Sequence, residues 1–89
     1  MKKNAIFPGS FDPFTKGHQD LVHRALPLFD KIIISIGVNS EKKSLFSIKQ
    51  RIEWIQKVFI NETKVIVESY KGLTVDFCKE KNATFIIRG

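Results

Sequence analysis

Eighty-nine residues, 43% of them hydrophobic and 27% charged, describe one small globular domain and exclude a disordered chain. No apolar stretch reaches the ~18 residues of a membrane-spanning helix, and the short apolar run before Pro8 is no secretory signal, so no membrane partner and a cytoplasmic location are expected. Fifteen basic against nine acidic residues leave a charge of +6, which suits an anionic partner or a lysine-rich surface, while the single cysteine, Cys78, excludes an internal disulfide and a multi-cysteine metal site.

In chain order, Ala5-Ile6-Phe7 reads as a first strand. It runs into residues 8–18, P-G-S-F-D-P-F-T-K-G-H, dense in turn formers yet carrying phenylalanines and a final histidine that a plain surface turn has no use for. Leu21, Val22, Ala25, Leu28 and Phe29 then fall on one face of a helix, which Pro27 kinks or ends. Ile32 to Val38 is nearly continuous in apolarity, as in a strand covered on both faces. Ser47 and Gln50 have capping-box spacing, and Ile48, Ile52, Ile55 and Phe59 form the apolar stripe of a second helix, with Trp54 and Val58 beside it. Val65-Ile66-Val67 reads as a third strand, Leu73 to Lys81 as a third helix holding Cys78 as a buried thiol, and Thr84 to Ile87 as a fourth, buried strand.

Strands alternating with helices predict a single α/β unit with a parallel sheet. Such sheets bind ligands beyond the carboxyl ends of their strands, at the point where strand order reverses, which places residues 8–18 beyond the first strand and at a helix N-terminus. Unpaired N–H groups there attract phosphate. Gly9 and Gly17 allow close backbone approach, Ser10 offers a hydroxyl, and His18 is expected to point into the same crevice. Asp12 reads as a stabiliser of its own turn rather than a general base, and His23 as structural. Neither G-x-G-x-x-G nor G-x-x-x-x-G-K-[ST] is present, so a dinucleotide dehydrogenase and a P-loop NTPase are unsupported. The basic residues do not cluster with exposed aromatics, and nucleic acid is not expected as a partner.

Thr15-Lys16-Gly17-His18 resembles the T/H-x-G-H motif of the nucleotidyltransferase superfamily, and P-G-S-F-D-P-x-T-x-G-H-x-D looks like the bacterial phosphopantetheine adenylyltransferases. Leu28-Phe29-Asp30, Lys42-Lys43 with Phe46, the helix of Arg51, and Ile86-Ile87-Arg88-Gly89 extend the resemblance over the whole chain. It implies a Rossmann-like nucleotide-binding fold with strands ordered 3-2-1-4. The implied reaction is adenylyl transfer from ATP, with Mg2+, to 4′-phosphopantetheine, giving dephospho-coenzyme A and pyrophosphate. His18 would stabilise charge on the α-phosphate, and Lys42 would span the acceptor phosphate and the α-phosphate. Ser10, Lys42, Thr74 and Arg88 would bind the acceptor, and Ser10, Phe11, His18 and Gly89 would meet ATP. No residue is assigned to a metal. Family members continue past the position of Gly89 with further ATP contacts and assemble as homo-oligomers, hexamers in the complete protein. Residues 1–89 are therefore expected to be the N-terminal part of one nucleotidyltransferase domain, truncated after the fourth strand and inactive alone. The alternative is a non-catalytic half-domain that binds a nucleotide or phosphometabolite.

Overall fold

A computed structural model describes residues 3–38 and 43–88. The elements follow the expected order: β1 (Asn4–Gly9), α1 (Lys16–Ala25), β2 (Lys31–Gly37), α2 (Ile48–Val58), β3 (Val65–Tyr70), α3 (Thr74–Glu80) and β4 (Phe85–Ile86). All pairings are parallel and the strand order is β3-β2-β1-β4, as the resemblance implied.

The isoleucine run of β2 shows why the sheet is covered twice. Successive strand side chains alternate in direction. Ile32, Ile34 and Ile36 join Phe7, Val22, Ala25, Ile55 and Phe59 on the side of α1 and α2. Ile33 joins Ile6, Phe77 and Cys78 on the side of α3. Ile32, Ile34 and Ile36 are each 0% exposed, and burial of such side chains is worth about 1.5–3 kcal/mol apiece. Cys78 is a buried free thiol, as expected.

Pro27 ends α1: the chain tightens into a 3-10 turn over Leu26–Leu28, and Leu28 projects into solvent instead of continuing the helical face. The Lys64 ammonium donates to the Leu26 carbonyl at 3.3 Å, closing that end. At α2 the Ser47 hydroxyl accepts the Gln50 N–H at 3.1 Å, so the predicted N-cap is in place.

Two expectations need correction. Strand β1 extends through Pro8 and Gly9, so the loop that leaves it begins at Ser10. Strand β4 is not buried: it has two residues, paired only with β1, and Phe85 and Ile86 are 42% and 43% exposed. It is one edge of the sheet, β3 being the other, and its outer side is uncovered among the described residues. The reversal of strand order falls between β1 and β4, which places the loop after Gly9 at the ligand-binding position of a parallel sheet.

Candidate active site

The loop after β1 is organised around its phenylalanines. Phe11 adopts a left-handed backbone (φ 48°) that turns its ring inward, where it is 3% exposed. There it meets Phe7 edge-on at 5.0 Å and Phe14 at 5.5 Å. A Cβ at Gly9 would lie 3.0 Å from the Phe11 ring, so the absence of a side chain there gives that ring its room.

His18 sits among these rings, with centroids 6.0, 5.1 and 5.3 Å from Phe7, Phe11 and Phe14. The apolar residues of the loop wall the histidine. Thr15 is the N-cap of α1 and forms a reciprocal box with it. The Thr15 backbone N–H donates to His18 Nδ1 at 2.9 Å, and the Thr15 hydroxyl accepts the His18 N–H at 3.4 Å. An Nδ1 that accepts a hydrogen bond leaves the ring proton of neutral imidazole on Nε2. Burial lowers the His18 pKa below its ordinary value, which favours that neutral form. His18 is thereby held as an Nε2–H donor beside a cavity of about 270 Å³ that it shares with Pro8, Ser10 and Phe11.

A larger cavity of about 560 Å³ lies across the loop, lined by Gly37, Lys43, Ser44, Arg51 and Tyr70 among others. Gly9, Ser10 and Asp12 line both cavities. One short loop therefore forms the common wall of two adjoining sites.

The structure brings Ser10, Phe11 and His18 together at the smaller cavity. The Phe11 ring belongs to the core, although the residue also lines the smaller cavity. Thr74 opens α3, and its hydroxyl is 2.9 Å from that of Tyr70, a wall of the larger cavity. Arg88 is exposed just beyond β4 and lines neither cavity. Lys42 and Gly89 lie outside the described residues. His23 rests against the Phe59 ring at 5.4 Å, on the outer side of α1.

Asp12 departs from the expected local turn role. Its carboxylate accepts the N–H groups of Leu45 and Phe46 at 2.7 and 2.9 Å, from a segment more than thirty residues along the chain. Arg51 was legible only as part of a helix, yet it is 4% exposed and donates to the Ser10 carbonyl at 2.7 Å. A signal was available in the sequence: Arg51 lies three residues after Ile48 and four before Ile55, a charge inside the apolar stripe.

This fold, with a histidine box at the first helix and twin cavities at the switch point, defines a nucleotidyltransferase-type α/β unit. Residues 6–89 match the cytidylyltransferase-like family model, and the chain belongs to that family. Among curated proteins it is 61% identical to a phosphopantetheine adenylyltransferase of Christiangramia forsetii, over 98% of this chain and 58% of that protein. It is 55% identical over its whole length to the phosphopantetheine adenylyltransferase of Leptospira biflexa, covering 56% of that protein. The chain thus spans a little over half the length of these relatives. Among solved structures it is similar to a bifunctional NMN adenylyltransferase/ADP ribose pyrophosphatase of Francisella tularensis complexed with AMP and a manganese ion. That likeness has a TM-score of 0.63 and 27% identity, over 91% of this chain and 25% of the other.

Proposed function

We propose that this chain supplies the acceptor-binding and α-phosphate-contacting part of an enzyme that transfers an adenylyl group from ATP to 4′-phosphopantetheine. The observation that carries the reading is the pair of cavities meeting at Gly9, Ser10 and Asp12, with a preorganised His18 donor on one side. A two-substrate transfer needs two sites that adjoin, and here they adjoin along the loop after β1. The curated relatives bear the name of this activity.

In the reaction an oxygen of the acceptor phosphate forms a bond to the α-phosphorus of ATP. The bond between that phosphorus and the bridging oxygen to the β-phosphate breaks, and pyrophosphate leaves with the electron pair. The acceptor oxygen is already a competent nucleophile, so the protein's task is alignment and stabilisation of charge on the α-phosphate. His18 donates its Nε2–H to an α-phosphate oxygen as charge develops. The Ser10 hydroxyl, on the common wall, touches the acceptor phosphate and ATP. Lys42 and Arg88 are assigned to the acceptor phosphate, with Lys42 reaching the α-phosphate as well; Arg88 would act from just beyond β4, outside the lining of either cavity. Thr74 stands by the pantetheine arm, and Phe11 and Gly89 meet ATP with their backbones.

Mg2+ is expected with ATP. Among the described residues no group of three or more His, Cys, Asp or Glu could hold a metal ion, and the Asp12 oxygens face the Leu45 and Phe46 N–H groups. These residues do not fit a protein-held magnesium, and no step here runs through one. The same reading carries a single nucleotidyltransferase domain of which residues 1–89 are the N-terminal part, a cytoplasmic location, and a homo-oligomer, the hexamer of the resembled family, for the whole protein. No helix among the described residues is long and apolar enough to cross a membrane.

The test is steady-state kinetics on the chain extended to the length of its relatives. It should form dephospho-coenzyme A from ATP and 4′-phosphopantetheine. His18→Ala should lower kcat by about a hundredfold or more, the scale for one oxyanion-stabilising donor, while both KM values stay close to wild type. Near-normal kcat in that variant would remove His18 from the mechanism.

A further inference from the structure

The segment Lys43–Ser47 leads into α2 and forms much of the larger cavity's wall. It has no regular structure to hold it; the Phe46 ring packs edge-on against Trp54 at 4.7 Å, and Asp12 and Arg51 hydrogen-bond to it from elsewhere in the chain. Asp12 accepts the Leu45 and Phe46 N–H groups with its two carboxylate oxygens, one each. Arg51 donates to the Ser10 carbonyl at 2.7 Å, to the Ser44 hydroxyl at 3.3 Å and to the Ser47 carbonyl at 3.4 Å. Hydrogen bonds with an ionised partner are the strong ones, and a guanidinium fork fixes direction as well as distance.

The charge on Arg51 is the informative part. The side chain is almost fully buried, all three acceptors are neutral oxygens, and no carboxylate lies within ion-pair distance among the described residues. Burying a cation with neutral partners only is costly if a cross-link is all that is needed. The expense is understandable where the charge lines a cavity that also holds Lys43 and that, on the function proposed above, receives the acceptor's phosphate.

We propose that Asp12 and Arg51 are positioning residues for the acceptor: they clamp Lys43–Ser47 to the loop Gly9–Asp12, and so set the wall and the positive field of the larger cavity. This rests on the function proposed above, with the larger cavity, walled by Tyr70 beside Thr74, taken as the acceptor's side. It gives Asp12 a role in substrate affinity without contact to the reacting atoms.

Two measurements on the chain extended to its relatives' length test the idea. The first is hydrogen exchange at the Leu45 and Phe46 amides. In Asp12→Ala both should exchange at least about tenfold faster, the consequence of losing a hydrogen bond to a charged group, while β2 amides keep their protection. The second is kinetic. The KM for 4′-phosphopantetheine should rise about tenfold in Asp12→Ala and Arg51→Gln, with the KM for ATP little changed. Asp12→Asn, which keeps one accepting oxygen, should fall between wild type and alanine in both measurements, and serves if the alanine variant does not fold. A purely structural role would lower the melting temperature without a selective change in one KM. Faster amide exchange with an unmoved acceptor KM would overturn the proposal, as would unchanged exchange in both Asp12 variants. A wild-type enzyme that does not turn over 4′-phosphopantetheine overturns the acceptor assignment, and the proposal with it, whatever the amides do.

Discussion

His18 illustrates how much chemistry a helix start can settle. The Thr15 backbone N–H occupies Nδ1, and Thr15 and His18 share the two halves of one capping box. A proton added at Nδ1 would set two donors face to face, and burial among the phenylalanines already disfavours the imidazolium. The folded-state pKa therefore lies below the ordinary 6.5. The sign for stability follows: between the two values the unfolded chain binds more protons than the folded one, so stability falls as pH drops below the unfolded value. His18→Gln, which cannot titrate, should lose less melting temperature than wild type between pH ~7.5 and ~5.5, on the ordinary histidine scale. Nitrogen NMR should find the Nε2–H tautomer at the higher pH. A ring protonated at Nδ1 there would show that the Thr15 contact does not control it. The same geometry accounts for the loop's composition. Phe11 and Phe14 wall the histidine, and Gly9 makes room for the Phe11 ring.

At the scale of elements, α2 carries two loads on one side: Ile55 and Phe59 seal the sheet, and Arg51 reaches past them to the loop after β1. Its start is held by Ser47, whose hydroxyl takes the Gln50 N–H and whose carbonyl takes the Arg51 N–H. Ser47→Ala should cost about 0.5–2 kcal/mol of unfolding free energy, the range for loss of an N-cap, measured by urea denaturation; no change would mean that packing alone sets the helix start. The elements were readable because each rests on local pattern: the isoleucine run of β2, the Ser47 cap, the stripe of α2 and the break at Pro27. What the pattern could not give were contacts between distant segments. Asp12 looks like a local turn residue until the Leu45 and Phe46 amides are seen to reach it. Thr84 to Ile87 reads as a buried strand because its residues are apolar, but burial depends on what lies outside, and there the pattern is silent. Ser10 and His18 were legible from the turn after the first strand and from the motif, whereas the second cavity depends on contacts between distant segments that no local pattern carries.

For the whole molecule, the arrangement leaves the sheet asymmetric. Strand β1 is paired on both sides, while β4 offers an exposed outer edge with Phe85 and Ile86 half uncovered. Unpaired, apolar edges of this kind associate or require a covering segment. The curated relatives are longer, the chain spanning 58% of the C. forsetii protein. On the function proposed above, further triphosphate and adenine contacts would come from the part beyond the position of Gly89. The 89 residues hold the two cavities and the His18 donor, but ATP must also be fixed at its base and its leaving phosphates before in-line attack is possible. Each missing bond to a charged group is worth roughly 1.5–3 kcal/mol, so the loss of several should abolish useful ATP affinity. The 89-residue chain should therefore release no measurable pyrophosphate from ATP and 4′-phosphopantetheine, whereas the chain extended to its relatives' length should do so. Pyrophosphate release by both, at matched concentration, checks it. Turnover by the short chain at even a few per cent of the long one would place the ATP site within residues 1–89, and the cavity beside His18 would then have to hold the nucleotide unaided.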